Sequence, residues 1–176
     1  MSKITLKNVR LSFPSLWSTE IYNGVDTEKF GATFLIEKDD KQAKVLKDAI
    51  KAVAEEKFGK NLPKSLKYCL VDGDEKDYDG YANMWAIKAS TKKRPTVIDR
   101  QKSPVVESDG TVYAGCYVNA SIDIWAMDNS YGKRILASLN GVQFFKDGDS
   151  FSSGGNVLDD FDSFDDGEDD DSDPFA

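Results

Sequence analysis

The stretch Cys116-Tyr-Val-Asn-Ala-Ser-Ile-Asp-Ile-Trp-Ala126 decides the fold. Every second side chain in it is small or aliphatic, and Tyr, Asn, Ser, Asp and Trp stand between them. A period of two is typical of a strand that buries one face. Asp128-Asn-Ser-Tyr-Gly132 then predicts a turn, and residues 134–145 predict the returning strand, with a bulge or bend at Asn140-Gly141. The sequence therefore predicts a long antiparallel pair.

Earlier parts of the chain repeat the pattern of this pair. Further strands are predicted at residues 3–13, 30–36, 84–90 and 96–100. The first slips by one residue near Asn8, as at a bulge, and is expected to end at Pro14 before a loop over residues 15–26. Residues 96–100 are expected to return beside residues 84–90 after the basic connector 91–95. This many strands, with glycine at the bends, favours a mainly β Greek-key barrel.

One amphipathic helix is predicted, over residues 39–58. Asp39 and Gln42 form a capping box, and Gly59 is placed to end the helix. Its apolar stripe consists of Ala43, Leu46, Ala49, Ile50, Val53, Ala54 and Phe58. Its other face carries Lys41, Lys44, Lys47 and Lys51. These lysines are interpreted as a solvated face, with a track for phosphates as the alternative.

The C-terminal residues 157–176 hold ten acidic residues and no Lys or Arg. Such a run cannot bury enough apolar surface to offset its chain entropy, which predicts a disordered tail. The chain has 23 basic and 31 acidic residues, so residues 1–156 carry 23 against 31 − 10 = 21, a net charge of +2. We therefore expect one domain over residues 1–150, followed by a flexible hinge and acidic tail over residues 151–176.

The residue types that are missing limit the chemistry. The chain has no His, which removes the commonest general base and metal ligand and weighs against an enzyme. Cys69 and Cys116 lie far apart in sequence and are expected to stay reduced. No apolar run approaches the roughly 18 residues of a membrane helix. A soluble cytoplasmic protein without cofactor or bound metal is expected.

An acidic cluster at residues 72–80 invites comparison with a calcium loop. That loop needs oxygen ligands at alternate positions and Gly at the sixth, but Lys76 and Asp77 occupy the fifth and sixth positions counted from Asp72. The mismatch favours an exposed turn. A rival hypothesis is a nuclease that holds magnesium with the carboxylates of Asp72, Asp74, Asp77 and Asp79.

Aromatic and cationic side chains are interleaved along the predicted strands. Such mixtures suit single-stranded nucleic acid, because bases stack on ring faces while Lys and Arg neutralise phosphates. The predicted stacking residues are Tyr117, Trp125, Trp85 and Tyr131. The predicted phosphate contacts are Lys88, Lys92, Lys93, Arg94, Arg100, Lys133 and Arg134. The alternative is that the helix or a loop covers Tyr117 and Trp125.

The acidic tail adds to this hypothesis. A tethered polyanion presents carboxylates to a groove built for phosphates, so it is expected to compete with DNA. Its last residues offer an aromatic knob with acidic flanks to a partner protein. The predicted tail contacts are Asp169, Asp170, Asp171, Asp173, Pro174 and Phe175. The alternatives are a merely solubilising tail, or an acidic DNA-mimic module that captures a basic host protein.

Two blocks of sequence carry a family resemblance. Gly115-Cys-Tyr-Val-Asn-Ala-Ser-Ile-Asp-Ile-Trp125 and Asn129-Ser-Tyr-Gly-Lys-Arg-Ile-Leu-Ala-Ser-Leu-Asn-Gly-Val-Gln-Phe144 resemble a family of tailed-phage single-stranded DNA-binding proteins. The resemblance implies an OB-fold that coats single-stranded DNA during phage replication and recombination. It also implies a tail that contacts replication proteins in the host cytoplasm. A homodimer is one assembly that this resemblance leaves open.

Overall fold

The computed structural model describes residues 2–78 and 80–151. The strands are β1 (Ser2–Ser15), β2 (Ile21–Tyr22), β3 (Val25–Asp26), β4 (Phe30–Glu37), β5 (Lys67–Tyr68), β6 (Leu70–Asp72), β7 (Met84–Thr91), β8 (Thr96–Ile98), β9 (Tyr117–Asn129) and β10 (Gly132–Lys146). The helix α1 spans Lys41–Phe58. Neither α1 nor another helix in these two ranges is long and apolar enough to cross a membrane.

Five long strands close into a barrel in the order β10, β9, β1, β4, β7. The ring closes where β7 and β10 pair in parallel at Ser90 and Ser138, and the other neighbours are antiparallel. In chain order this is a 1-2-3-5-4 Greek key, the arrangement of an OB-fold. The prediction of a mainly β Greek-key barrel with one helix is confirmed. The predicted acidic tail lies outside the described residues.

The pair β9–β10 is the ladder that the sequence predicts. Asn119 to Ile124 alternate strictly, with Ala120, Ile122 and Ile124 in the barrel interior. The register of β10 shifts between Leu139 and Gly141, which confirms the predicted bulge. β1 also contains its predicted bulge, because its register on β9 shifts between Leu6 and Val9.

Three features of the predicted strand arrangement are wrong. β1 does not end at Pro14 but runs to Ser15, which pairs with Gly31 after a second register shift; a proline is tolerated at such an irregularity. The loop over residues 15–26 contains the hairpin β2–β3. Asn23 and Gly24 both adopt positive φ, 51° and 77°, as a two-residue hairpin turn requires.

The third wrong feature is the pairing partner of β8, which does not return beside β7. It lies parallel to β10, with Thr96 opposite Gly141 and Ile98 opposite Gln143. The physical reason is that β7 leaves β10 at Ser138, so the backbone of β10 beyond that point needs another hydrogen-bonding partner. β8 supplies it after the connector.

The helix begins at Lys41, because Asp40 and not the predicted Asp39 caps it. The Asp40 carboxylate accepts a hydrogen bond from the Gln42 backbone N–H at 2.9 Å. The Gln42 side chain instead bonds both backbone groups of Lys7 in β1, at 2.7 Å each. Gly59 ends the helix as predicted, with φ 83°. The buried stripe Ala43, Leu46, Ile50, Val53 and Ala54 packs against the barrel.

Candidate nucleic-acid interface

The outward face of β4 and β7 is divided into two halves. Leu35 and Ala86 are cross-strand neighbours on this face, yet both are buried. A small second core covers them, formed by Tyr81 with Val71, Met84 and Phe151. We call this the covered half. Two residues away from Leu35 and Ala86 along each strand, Thr33 pairs with Lys88. After a further two residues, Gly31 pairs with Ser90. These four residues form the open half.

The open half is the floor of a groove of about 560 Å³. Aromatic side chains form most of its walls, and Glu20, Lys76 and Lys88 bring charges into it. The wall residues include Phe13, Tyr22, Tyr68, Cys69, Val71, Tyr78, Tyr81 and Leu136. A groove with this lining can hold flat rings and single phosphates.

One wall is a cluster of three rings at the boundary between the two halves. The Tyr78 ring makes edge contacts with Phe13 and Tyr81, at centroid distances of 5.0 and 5.1 Å. Tyr81 is buried, its hydroxyl lies 2.9 Å from Ser12 Oγ, and burial raises its pKa. Phe13 and Tyr78 remain exposed. Tyr81 therefore anchors the cluster, and the other two rings are accessible to a ligand.

The opposite walls come from the β2–β3 hairpin and from β5. Tyr22 is 67% exposed, and because it pairs with Val25 the two side chains share one face of the hairpin. Tyr68 is exposed at the other wall. Burial raises the pKa of the neighbouring Cys69 thiol to about 12. Cys69 is therefore protonated at neutral pH and contributes a neutral surface.

The predicted stacking residues are divided between the groove and other faces. Trp125 pairs across the ladder with Leu136, a groove residue, and its Nε1–H donates to Ser138 Oγ at 2.9 Å. Tyr131 is 83% exposed in the turn between β9 and β10. Trp125 is thus next to the edge of the groove that β10 forms, whereas Tyr131 lies in the turn at the end of that strand pair.

Tyr117 and Trp85 lie away from the groove. The Tyr117 ring has the Lys146 ammonium 4.7 Å and the Arg10 guanidinium 5.8 Å from its centroid. Trp85 packs against the main core. Its ring is also covered by the ammonium groups of Lys47 and Lys38, at 3.7 and 5.3 Å. Both rings therefore already have cationic partners within the chain.

Among the predicted phosphate contacts, Lys88 lines the groove. Lys92 and Lys93 are exposed just beyond the β7 end of it. Arg94 donates to the Trp17 carbonyl at 3.1 Å, and Arg100 lies 5.7 Å from the Phe145 ring. Lys133 lies 5.4 Å from the Phe58 ring, and Arg134 pairs in register with Lys67, next to Tyr68. The predicted tail contacts at 169–171 and 173–175 are outside the described residues.

The acidic cluster has a partner within the chain. Lys38 Nζ lies 2.7 Å from Asp72 Oδ1 and 2.6 Å from Asp74 Oδ2. Lys38 lowers the pKa of Asp72, and the Asn83 backbone N–H, followed by Lys38, lowers that of Asp74. Asp77 is exposed, and Asp79 lies outside the described residues. Asp72 and Asp74 thus attach residues 71–84, which cover Leu35 and Ala86 and are called the covering segment below, to the end of β4.

The groove rings Phe13, Tyr22, Tyr68 and Tyr78 were not predicted from the sequence. One signal was available, because Tyr22 directly precedes the Asn23-Gly24 hairpin turn and therefore lies on an exposed arm. No local signal marks the others. Tyr68 and Tyr78 sit in the irregular segment between α1 and β7, and only the closed barrel brings them opposite the hairpin.

Comparisons with known proteins show a related sequence and related structures. "Putative protein p50" of Acyrthosiphon pisum secondary endosymbiont phage 1 is 46% identical over 163 residues, which cover 87% of this chain and 88% of that protein. The single-stranded DNA-binding protein from bacteriophage Enc34 in complex with ssDNA matches with a TM-score of 0.72 at 31% identity, covering 85% of this chain and 89% of that one. The single-stranded DNA-binding protein gp2.5 of bacteriophage T7 shares the fold, with a TM-score of 0.58 at 13% identity and coverage of 92% and 96%.

The sequence also matches a family profile along almost its whole length. That family is described as the ssDNA-binding protein of Enterobacter phage Enc34, and the match spans residues 2–173. The match includes the whole barrel, the β2–β3 hairpin and nearly all of the acidic C-terminal residues. This chain therefore belongs to the Enc34 family of phage single-stranded DNA-binding proteins.

Proposed function

We propose that this protein binds single-stranded DNA along the groove, with little sequence preference and without chemistry. The observation that carries the proposal is the position of the groove. It lies on the second and third barrel strands, between the loop that follows the first strand and Leu136 and Ala137 of the last strand, β10. OB-folds bind oligonucleotides at this place. The Enc34 relative whose structure contains ssDNA has the same barrel.

Bases stack on the exposed rings in this proposal. Tyr22, Tyr68 and Tyr78 surround the floor, and Trp125 and Tyr131 extend the ring surface along β10. Stacking tolerates any sequence, since every base has a π-face. Tyr117 and Trp85 are assigned a supporting role in the barrel, because their rings are already occupied by cations of the chain.

Phosphates follow the cations from one end of the floor to the other. Lys88 lies at the centre. Lys92, Lys93 and Arg94 continue beyond the β7 end, and Lys133 and Arg134 lie at the start of β10. Arg100 follows β8 and would serve DNA that leaves the groove on that side. Neutralisation of phosphates by these side chains predicts strong weakening of binding by salt.

The acidic residues 157–176 are proposed to compete with DNA for this groove. Phe151, the last described residue, packs with Tyr81, whose ring lines the groove. The 176 − 151 = 25 residues beyond it span at most about 85 Å when fully extended. This length is ample to reach the floor, and a tether gives the carboxylates a high effective concentration. Asp173-Pro174-Phe175 would also recruit replication or recombination proteins in the host cytoplasm.

A ring-removal experiment tests the assignment of the groove. Fluorescence anisotropy with a labelled oligo-dT would compare the wild type, the Tyr22→Ala/Tyr68→Ala double variant and the matched Tyr22→Phe/Tyr68→Phe variant. We expect the alanine variant to lose about 2–6 kcal/mol of binding free energy and the phenylalanine variant to bind as the wild type, since only the first lacks rings. Equal binding by all three would assign the DNA to another face, and a wild type that does not bind would refute the function.

A truncation tests the role of the tail. Protein ending at residue 156 should bind oligo-dT more tightly than the full chain, and the difference should shrink at high salt because screening weakens the competing carboxylates. Unchanged affinity at both salt concentrations would remove the competitor role. Binding by neither form would favour the acidic DNA-mimic module.

A further inference from the structure

Among the described residues, Glu20 is the only acid that lines the groove, and its carboxylate contacts Lys88 on the floor. Both oxygens of Glu20 face Lys88 Nζ, at 3.1 and 3.2 Å. Lys88 is on the floor, and Glu20 belongs to the segment that leads into the β2–β3 hairpin. A carboxylate in this position is costly for a site that binds a polyanion, because it adds repulsion where the ligand's charge arrives. Its presence in the groove therefore needs an explanation.

The Glu20 backbone is fixed at the root of the hairpin. Its N–H donates to the Lys29 carbonyl at 2.8 Å, and its carbonyl accepts from the Thr27 N–H at 2.9 Å and from Thr27 Oγ1 at 2.9 Å. The hairpin beyond this root carries Tyr22 into the groove wall. The ion pair between Glu20 and Lys88 therefore ties the hairpin to the third barrel strand across the floor.

We propose that Glu20 is an internal competitor of DNA. When the groove is empty, its carboxylate occupies the place at Lys88 Nζ where a DNA phosphate would bind. This inference rests on the proposed function and adds a second anionic competitor, inside the barrel domain. A DNA phosphate that binds Lys88 displaces the carboxylate and releases the hairpin from the floor. The exchange is easy, because the Lys88 and Glu20 side chains are 57% and 30% exposed and such pairs are weak.

The geometry favours this role over a direct contact between Glu20 and a base edge. A carboxylate that reads a base must present an oxygen to an amino group of cytosine or adenine. Both Glu20 oxygens are instead directed at one ammonium group. Thymine has no amino group, so oligo-dT and oligo-dC distinguish the two roles.

Four variants of the full-length chain test the proposal: Glu20→Gln, Lys88→Met, the double variant, and Glu28→Gln as the matched control. Glu28 is an exposed acid beyond the same hairpin and does not line the groove. Its change therefore removes one charge from the same loop without altering Lys88. Circular dichroism would establish that each variant is folded.

We expect Glu20→Gln to bind oligo-dT about two- to fivefold more tightly than Glu28→Gln. The slope of its log K against log salt concentration should be steeper by about 0.7, the increment for one phosphate contact on a single strand, since Lys88 no longer exchanges one anion for another. In the Lys88→Met background, Glu20→Gln should have no larger effect than Glu28→Gln.

Two outcomes would overturn the competitor role while the wild type still binds DNA. One is equal binding by Glu20→Gln and Glu28→Gln. The other is weaker binding of oligo-dC alone by Glu20→Gln, which would assign Glu20 to a base edge. A wild type that binds no single-stranded DNA would refute the proposed function itself, and this inference with it.

Discussion

The two halves of the outward face of β4 and β7 belong to the same two paired strands but have opposite roles. In the covered half, Leu35 and Ala86 are buried in the cluster that includes Tyr81 and Phe151, and Ala86 borders the groove only at its edge with the open half. In the open half, Thr33 and Lys88 form the floor of a groove lined by rings. The halves are separated by only two residues along each strand. Burial on this face is therefore decided by the segments laid over it, and not by the strands.

Those covering segments are remote from both strands in sequence. Val71 and Tyr81 belong to the stretch between α1 and β7, and Phe151 follows β10. Phe151 is fixed by its N–H, which donates to the Ala114 carbonyl at 3.1 Å, and by the Arg10 guanidinium 4.1 Å from its ring. The covered half thus attaches Phe151, the first residue of the predicted hinge, to the wall of the groove.

The largest predicted effect is on stability, in the covered half. Leu35→Ala should lower the free energy of unfolding by about 2–5 kcal/mol, because a fully buried side chain leaves a cavity. Urea denaturation would measure it. Thr33→Val, on the same face but in the open half, keeps its shape and loses only a side-chain hydrogen bond to Tyr81, so it should lower the free energy of unfolding by about 0.5–1.5 kcal/mol. Similar losses for the two variants would contradict the division of this face.

The second prediction concerns the boundary between the halves. Tyr78→Ala should weaken binding of oligo-dT by about 1–3 kcal/mol through lost stacking, and lower stability by about 0.5–1.5 kcal/mol through its ring contacts with Phe13 and Tyr81. Anisotropy and urea denaturation would measure both. Tyr78→Phe should retain both properties. A stability loss without any loss of binding would assign Tyr78 to the covered half alone.

The third prediction compares two rings on the outer face of β9. Trp125→Ala should weaken binding by about 1 kcal/mol, because Trp125 adjoins the groove residue Leu136. Tyr117→Ala should change the binding free energy by less than about 0.5 kcal/mol, since Lys146 and Arg10 occupy its ring. The same titration measures both. A larger loss for Tyr117→Ala would mean that DNA displaces those cations and extends beyond the groove.

Much of the barrel is predictable from the sequence, because its strands alternate in polarity. All but the first of residues 116–126, and all of residues 134–145, lie in the paired β9 and β10, with the break at Asn140-Gly141 in its predicted place. The family resemblance of residues 115–144 is confirmed by the profile match, as is the expectation that the protein is not an enzyme. The partner of β8 was not predictable, because it depends on where β7 leaves β10.

The groove was less predictable than the barrel for a physical reason. Periodicity identifies which side chains face outward, and Trp125 and Lys88 do so. It does not identify which part of the outer surface another segment covers. Trp85 illustrates this limit, because lysines from α1 and from the end of β4 lie over its ring. The tyrosines that line the groove come from segments without a regular period.

The smallest predicted effect concerns the ion cluster that attaches the covering segment. The carboxyls of Asp72 and Asp74 have lowered pKa values in the folded protein, and the pKa of Lys38 is raised by its bonds to them. The carboxylates therefore contribute stability above their unfolded pKa of about 3.9, which is lost as the pH falls through their folded values. Lys38 contributes stability below its unfolded pKa of about 10.4, which is lost as the pH rises through its folded value.

Lys38→Met should consequently reduce the fall in thermal unfolding midpoint between pH 7 and pH 3. The fall should not vanish, because the Asn83 N–H still favours the ionised form of Asp74. Calorimetry at several pH values would measure it, with the exposed Lys93→Met as control. An identical pH profile for both variants would show that the cluster does not hold the covering segment. The covered half would then depend on its apolar contacts alone, since exposed ion pairs stabilise little.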